Sequence, residues 1–208
     1  NGIPALDPQK KSVSTQCGNF IIDLLKRDLR PKQIITRDAL ENAIAAVAST
    51  GGSTNAVLHF LALAHEIGVE LNIDDFDTIN QRIPLITDLK PSGKYLAADL
   101  YQAGGTRLVA KRLIEAGLLK GDCITVTGRT LNEETETASE TPGQKVLYPV
   151  ESPIKSTGGL VILHGNLAPE GCVVKVAGNK KLTHSGPAKV FNCEEDAFTA
   201  VQQGQIVS

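Results

Sequence analysis

The stretch ASTGGSTNAVLHFLALAHEIGVELNIDDFD, Ala48–Asp77, decides how the first half of the chain is read. Gly51-Gly52 interrupts one apolar periodic run, and Ser53, Thr54 and Asn55 lead directly into a second. In that second run Val57, Leu58, Leu61, Ala62 and His65 share one helical stripe, which ends near Gly68. Two helices joined by a tight turn are therefore expected, not a strand. Bare backbone N–H groups at a helix start, ringed by hydroxyls, have two uses. Ser53 or Thr54 caps the helix, or Ser53, Thr54 and Asn55 meet an anion. The glycines permit a sharp turn or a close helix crossing. The turn matches neither GxxxxGK[ST] nor GxGxxG, so a nucleotide phosphate loop is not supported.

Working outward, helical spacing dominates up to about residue 120. Asp7-Pro8 reads as a cap with Pro at the first helical position. Val13, Cys17, Phe20, Ile21, Leu24 and Leu25 follow as an apolar stripe, on which Cys17 reads as a small core residue. Thr36 caps the next helix, with Leu40, Ala43, Ile44 and Val47 on one face. Asn72 to Arg82 is a short helix whose Asp74, Asp75 and Asp77 suit the positive end of the dipole. Leu85 to Leu89 suggests a short strand. Further helices are expected from Leu96 to Ala103 and from Thr106 to Leu118.

The character changes near Gly121. DCITVTG is strand-like, and RTLNEETETASETPGQ reads as a short helix fading into a mobile loop. GGLVILHG, GCVVKVAG and AKVF read as strands. Asn192 with Glu195 forms an Asn-x-x-Glu cap opening a last helix. The expected fold class is α+β, with a helical segment over residues 1–120 and a β-rich segment over 121–208.

The chain has 208 residues, a formal charge of −2 and 41% hydrophobic residues, enough for a real core built mainly from Val, Ile, Leu and Ala. Lys and Arg are spread along it, which gives no nucleic-acid footprint. No apolar run approaches the roughly 20 residues that span a bilayer, and no signal peptide is read. A chain that starts at Asn1 and lacks Met is expected to be a piece of something longer. Cys17, Cys123, Cys172 and Cys193 form no CxxC pair and are expected to be reduced thiols in the cytoplasm.

The remaining candidates read structurally. His59 and His65 are six apart and miss the i, i+4 spacing of a helical metal pair; His65 suits a core edge. His164 and His184 have no metal-spaced partner. NIDDFD does not match a calcium loop. KPSGK, with Lys90, Ser92, Gly93 and Lys94, is a solvated turn, or a basic turn facing an anionic substrate. GNLAPEG is a hairpin connection or a rim loop. No nucleophile–base pair, carboxylate dyad or cysteine cluster emerges, so no catalytic and no metal residue is assigned.

Four stretches occur in order: ALENAIAAVASTGGSTNAVLHFLALAHEIGVEL, DDFDTINQRIPLITDLKPSGKYLAADLYQAGG, GLLKGDCITVTGRTL and SPIKSTGGLVILHGNLAPEGCVVKVAG. Together they cover nearly all of the chain, which resembles the dihydroxy-acid dehydratase family, whose relatives include phosphogluconate and other sugar-acid dehydratases. KPSGKY and SPIKSTGGL look more like the branched-chain amino-acid enzyme. The resemblance implies a homodimeric hydro-lyase turning 2,3-dihydroxy acids into 2-oxo acids in valine and isoleucine biosynthesis. An iron–sulfur cluster would act on the C3 hydroxyl, Mg²⁺ would hold the carboxylate, and a serine alkoxide would take the C2 proton. The alternatives are a segment of a sugar-acid dehydratase, or a noncatalytic dimerisation and packing piece.

The family's cluster cysteines, and its Asp and modified Lys for Mg²⁺, belong to motifs upstream of the matched segment. Its Mg²⁺-binding Glu and serine base belong downstream. The segment is therefore expected to bind neither cofactor alone and to be inactive. It would hold the later helices of an N-terminal α/β domain and the start of a β-barrel-like C-terminal domain. Ser53, Thr54 and Asn55 remain as substrate-binding candidates.

Overall fold

The computed structural model describes residues 2–178 and 183–206. The chain divides into two compact units, Asn1–Gly178 and Asn179–Ser208. In the first unit, the described helices are α1 (Gln9–Lys26), α2 (Pro31–Ile34), α3 (Arg37–Thr50), α4 (Asn55–Ile67), α5 (Ile73–Arg82), α6 (Ala97–Ala103), α7 (Gly105–Glu115) and α8 (Leu131–Thr135). They are followed by an antiparallel hairpin of β1 (Leu160–Gly165) and β2 (Ala168–Lys175), which pairs Leu160 with Lys175 and Ile162 with Val173. The second unit carries α9 (Glu194–Gln202). This is an α+β arrangement.

Local signals place most of the starts. The Thr36 hydroxyl accepts the Ala39 N–H at 3.2 Å. Asn72 and Asp75 cap α5 reciprocally, at 3.2 Å and 2.8 Å. Asp7 Oδ1 accepts the Gln9 N–H at 2.8 Å, so the expected cap is present with the helix starting one residue later. Asp75 also takes both prongs of Arg37, at 2.7 Å and 3.0 Å, which joins the starts of α3 and α5. That guanidinium, ahead of every other influence, holds the Asp75 carboxyl below its ordinary range.

One apolar core unites α3 (Ile44, Ala48), α5 (Phe76, Ile79), Ile83, Ile86, α6 and α7 (Leu100, Leu113) with Val146, Leu147, Leu160 and Ile162. Residues from both sides of position 120 therefore share it. Residues 156–160 pass close between the end of α3 and α5. The Gly158 N–H donates to the Asn80 carbonyl (2.9 Å), and the Gly159 N–H to the Ala48 carbonyl (3.1 Å). The Leu160 N–H donates to Asn80 Oδ1 (3.1 Å). Asn80 is buried, and its oxygens satisfy strand backbone that water cannot reach.

Several expectations fail. No residue of α1 is buried; Cys17 is exposed, as are Phe20, Ile21 and Leu25. The helical period is local and does not ensure burial: of that stripe Val13 and Leu24 are half-buried and the other residues are exposed. His65 is likewise exposed on α4. DCITVTG forms a turn closed by one bridge, Ile124 to Thr130, with no strand beside it among the described residues. Leu85 to Leu89 makes isolated bridges to Lys155, Leu147 and Tyr95. These partners come from different segments, so no continuous ladder forms. AKVF forms no strand among the described residues, and α9 begins at Glu194 with no side-chain cap from Asn192.

The polar stretch after α8 is hydrogen-bonded down. The Thr141 hydroxyl donates to the Gln102 carbonyl (2.6 Å), and Gln144 Oε1 accepts from the Val146 and Leu147 N–H groups (2.8 Å each).

Candidate functional site

The turn between α3 and α4 is built by Gly51, which ends α3 in the left-handed region at φ 57°. A side chain there would press on Leu85 and Ala177, each 3.3 Å from an added Cβ. Gly159 approaches so closely that its own Cβ would sit 2.9 Å from Gly51 Cα. The glycine pair therefore serves both a sharp turn and a close crossing. The crossing partner is a loop, not a helix.

At the start of α4, the Ser53 hydroxyl accepts the Asn55 N–H at 3.2 Å. Thr54 occupies the cap position but makes no side-chain cap bond. Ser53 thus takes the capping role, and Thr54 does not. Ser53 and Asn55 are exposed and Thr54 is half-buried. Among the described residues, the Thr54 hydroxyl and the Asn55 carboxamide bond no other group of the chain. The three residues present polar side chains at a helix start whose first backbone donors are already taken, Asn55 by the Ser53 hydroxyl and Ala56 and Val57 by the Ser53 and Thr54 carbonyls.

The two loops singled out as anion candidates come together, which sequence spacing did not indicate. Thr50 and Gly51 line one side of a cavity of about 60 Å³, and Ser92 and Gly93 of the KPSG turn line the other. Ser53, Thr54 and Asn55 do not line it. Asp88 also borders the cavity, and its Oδ1 accepts the Lys94 N–H at 3.1 Å. This turn folds back on a carboxylate, which makes it a poor anion receptor.

A second contact was missed because its partners are 90 residues apart. His164 Nε2 lies 2.7 Å from Asp74 Oδ1, and its Nδ1 lies 3.3 Å from the Pro169 carbonyl. Both partners only accept, so both contacts form together only when the ring carries two protons. The Asp74 carboxylate first, and the Pro169 carbonyl second, raise His164 above its ordinary value; Asp77 also faces it and adds to the shift. Because the folded value is the raised one, the latch stabilises fully below the ordinary histidine range. It is lost as pH rises through the raised value. An NMR titration of the His164 ring should show a midpoint above about 6.5, and Asp74→Asn should bring it down. An unchanged midpoint in that variant would rule the latch out.

Among the described residues, no group of three or more His, Cys, Asp or Glu side chains converges on a metal-sized point. Cys17 is on α1, Cys172 on β2 and Cys193 before α9. Cys123 receives the Asn42 side-chain N–H at 3.3 Å, and burial pushes its thiol up, the opposite of an activated thiolate. Among the described residues these side chains do not fit an iron–sulfur cluster or a Mg²⁺ ion. No described helix is long and apolar enough to cross a membrane.

Residues 1–134 match the N-terminal, and residues 145–208 the C-terminal, family model of dihydroxy-acid/6-phosphogluconate dehydratases. The chain is 58% identical over 206 residues to a dihydroxy-acid dehydratase of Koribacter versatilis, covering 99% of this chain and 36% of that protein. For the enzyme of the same name from Roseiflexus castenholzii the identity is 59% over 204 residues, covering 98% and 36%. For one from Thermus thermophilus it is 54% over 207 residues, covering 99% and 37%. The chain thus spans little more than a third of the length of the curated relatives it matches. With both family models matched in order along its length, the chain belongs to the dihydroxy-acid/6-phosphogluconate dehydratase family.

Proposed function

We propose that this chain is an internal scaffold segment of a hydro-lyase that dehydrates 2,3-dihydroxy acids to 2-oxo acids in branched-chain amino-acid biosynthesis. The observation that carries the reading is identity above one half, along almost the whole chain, to proteins named dihydroxy-acid dehydratase. The reaction loses the C2 proton and the C3 hydroxyl as water, and the resulting enol becomes the 2-oxo acid. Hydroxide leaves poorly without an electrophile. The groups that supply one, an iron–sulfur cluster and Mg²⁺, belong to the full-length enzyme.

In this reading Ser53, Thr54 and Asn55 line the rim of a substrate pocket that other segments complete. The Ser53 and Thr54 hydroxyls and the Asn55 carboxamide suit the hydroxyls and carboxylate of such an acid. The join near residue 120 separates helices of the N-terminal domain from the opening of a β-barrel-like C-terminal domain. The full-length protein is a cytoplasmic homodimer.

The test compares the full-length protein with the 208-residue chain, both prepared without oxygen. The full-length protein should turn over 2,3-dihydroxy-3-methylbutanoate in preference to 6-phosphogluconate, while the short chain should hold no stoichiometric iron or sulfide and show no turnover. Preference for 6-phosphogluconate would favour the sugar-acid reading, which the family's joint description keeps open. Iron with turnover in the short chain would overturn the assignment of the catalytic motifs to other segments.

A further inference from the structure

Thr87 is 3% exposed, and among the described residues its Oγ1 has no hydrogen-bond partner. Buried hydroxyls are almost always partnered, because leaving one bare forfeits its bonds to water. Thr87 borders the 60 Å³ cavity between Gly51 and the KPSG turn. This volume exceeds the 10–15 Å³ or so that one water requires and falls short of a dihydroxy acid. Asp88 and Ser92 add polar groups to the wall. Asp88 makes the cavity unsuitable for an anion.

We propose that this cavity is a structural water site, in which a buried water links the Thr87 hydroxyl to the turn at Asp88–Ser92. A water both donates and accepts, which suits a hydroxyl beside a carboxylate. It would fasten the KPSG turn to the glycine crossing. At the edge of the cavity the packing is close: an added Cβ on Gly178 would lie 2.9 Å from Ser92 Cβ.

The experiment is a crystal structure of the full-length protein at about 1.5 Å, together with thermal unfolding of Thr87→Val. Valine keeps the shape and removes the hydroxyl. A density peak at hydrogen-bond distance from Thr87 Oγ1, with a melting midpoint lowered by roughly 1 °C, is expected. A dry cavity overturns the proposal whatever the midpoint does. A raised midpoint also overturns it, because a bare buried hydroxyl is one whose removal stabilises. A peak with the short, many-oxygen coordination of a metal ion overturns it as well.

Discussion

Replacing Gly158 by alanine is expected to lower stability by about 3 kcal/mol or more, with a melting midpoint some 6–12 °C lower. The added Cβ would sit 2.7 Å from Ala48 Cβ and closer still to Asn80 Oδ1. Neither neighbour can yield cheaply. Ala48 is fixed in the last turns of α3, and its carbonyl takes the Gly159 N–H. Asn80 cannot swing aside without abandoning the buried Leu160 N–H. Gly18 is the control. It lies within α1, where an added Cβ meets nothing within 4 Å, so Gly18→Ala should be neutral or stabilise by up to about 1 kcal/mol. Circular dichroism during heating measures both variants. Equal midpoints for the two would show that the crossing at Gly158 is not closely packed.

Truncating Ile86 to alanine should cost about 2–5 kcal/mol, while Ile86→Val should cost only about 0.5–1.5 kcal/mol. Ile86 is fully buried in the core shared by the helices and the hairpin. Its backbone is held on both sides: its N–H donates to the Ser49 carbonyl (2.9 Å), and its carbonyl accepts from Tyr148 (2.8 Å). Those bonds persist in either variant, so the difference reports side-chain packing alone. The pinned backbone also limits collapse around the cavity, which favours the upper part of the range. Urea unfolding of the two variants decides it. An alanine variant no less stable than the valine one would exclude a tightly packed core here.

The helices were legible because their signals are short-range. Thr36, Asn72 and the glycines at 51 and 68 sit within a few residues of the ends they cap. GGLVILHG and GCVVKVAG were legible as a hairpin for the same reason. DCITVTG is as rich in β-branched residues as those strands, yet among the described residues it gains a single bridge, Ile124 to Thr130, and strand propensity without a continuous partner makes no strand. In the candidate site, the turn itself was readable. The division of labour within it, with Ser53 bonding the Asn55 N–H and Thr54 bonding nothing at the cap, depends on backbone angles that composition does not reveal.

By itself, then, the sequence determined the helical order of the first half, the hairpin near the end and, through four ordered motifs, the family. Tertiary structure alone decided which faces are covered. The stripe of α1 has the right period, yet none of its residues is buried. Asn80, an unremarked polar residue, becomes the buried clamp on Gly158 and Leu160. His164 finds Asp74 across 90 positions. The reason is one of range: caps and periods act over a turn or two of chain, whereas burial and pairing depend on what distant segments bring alongside.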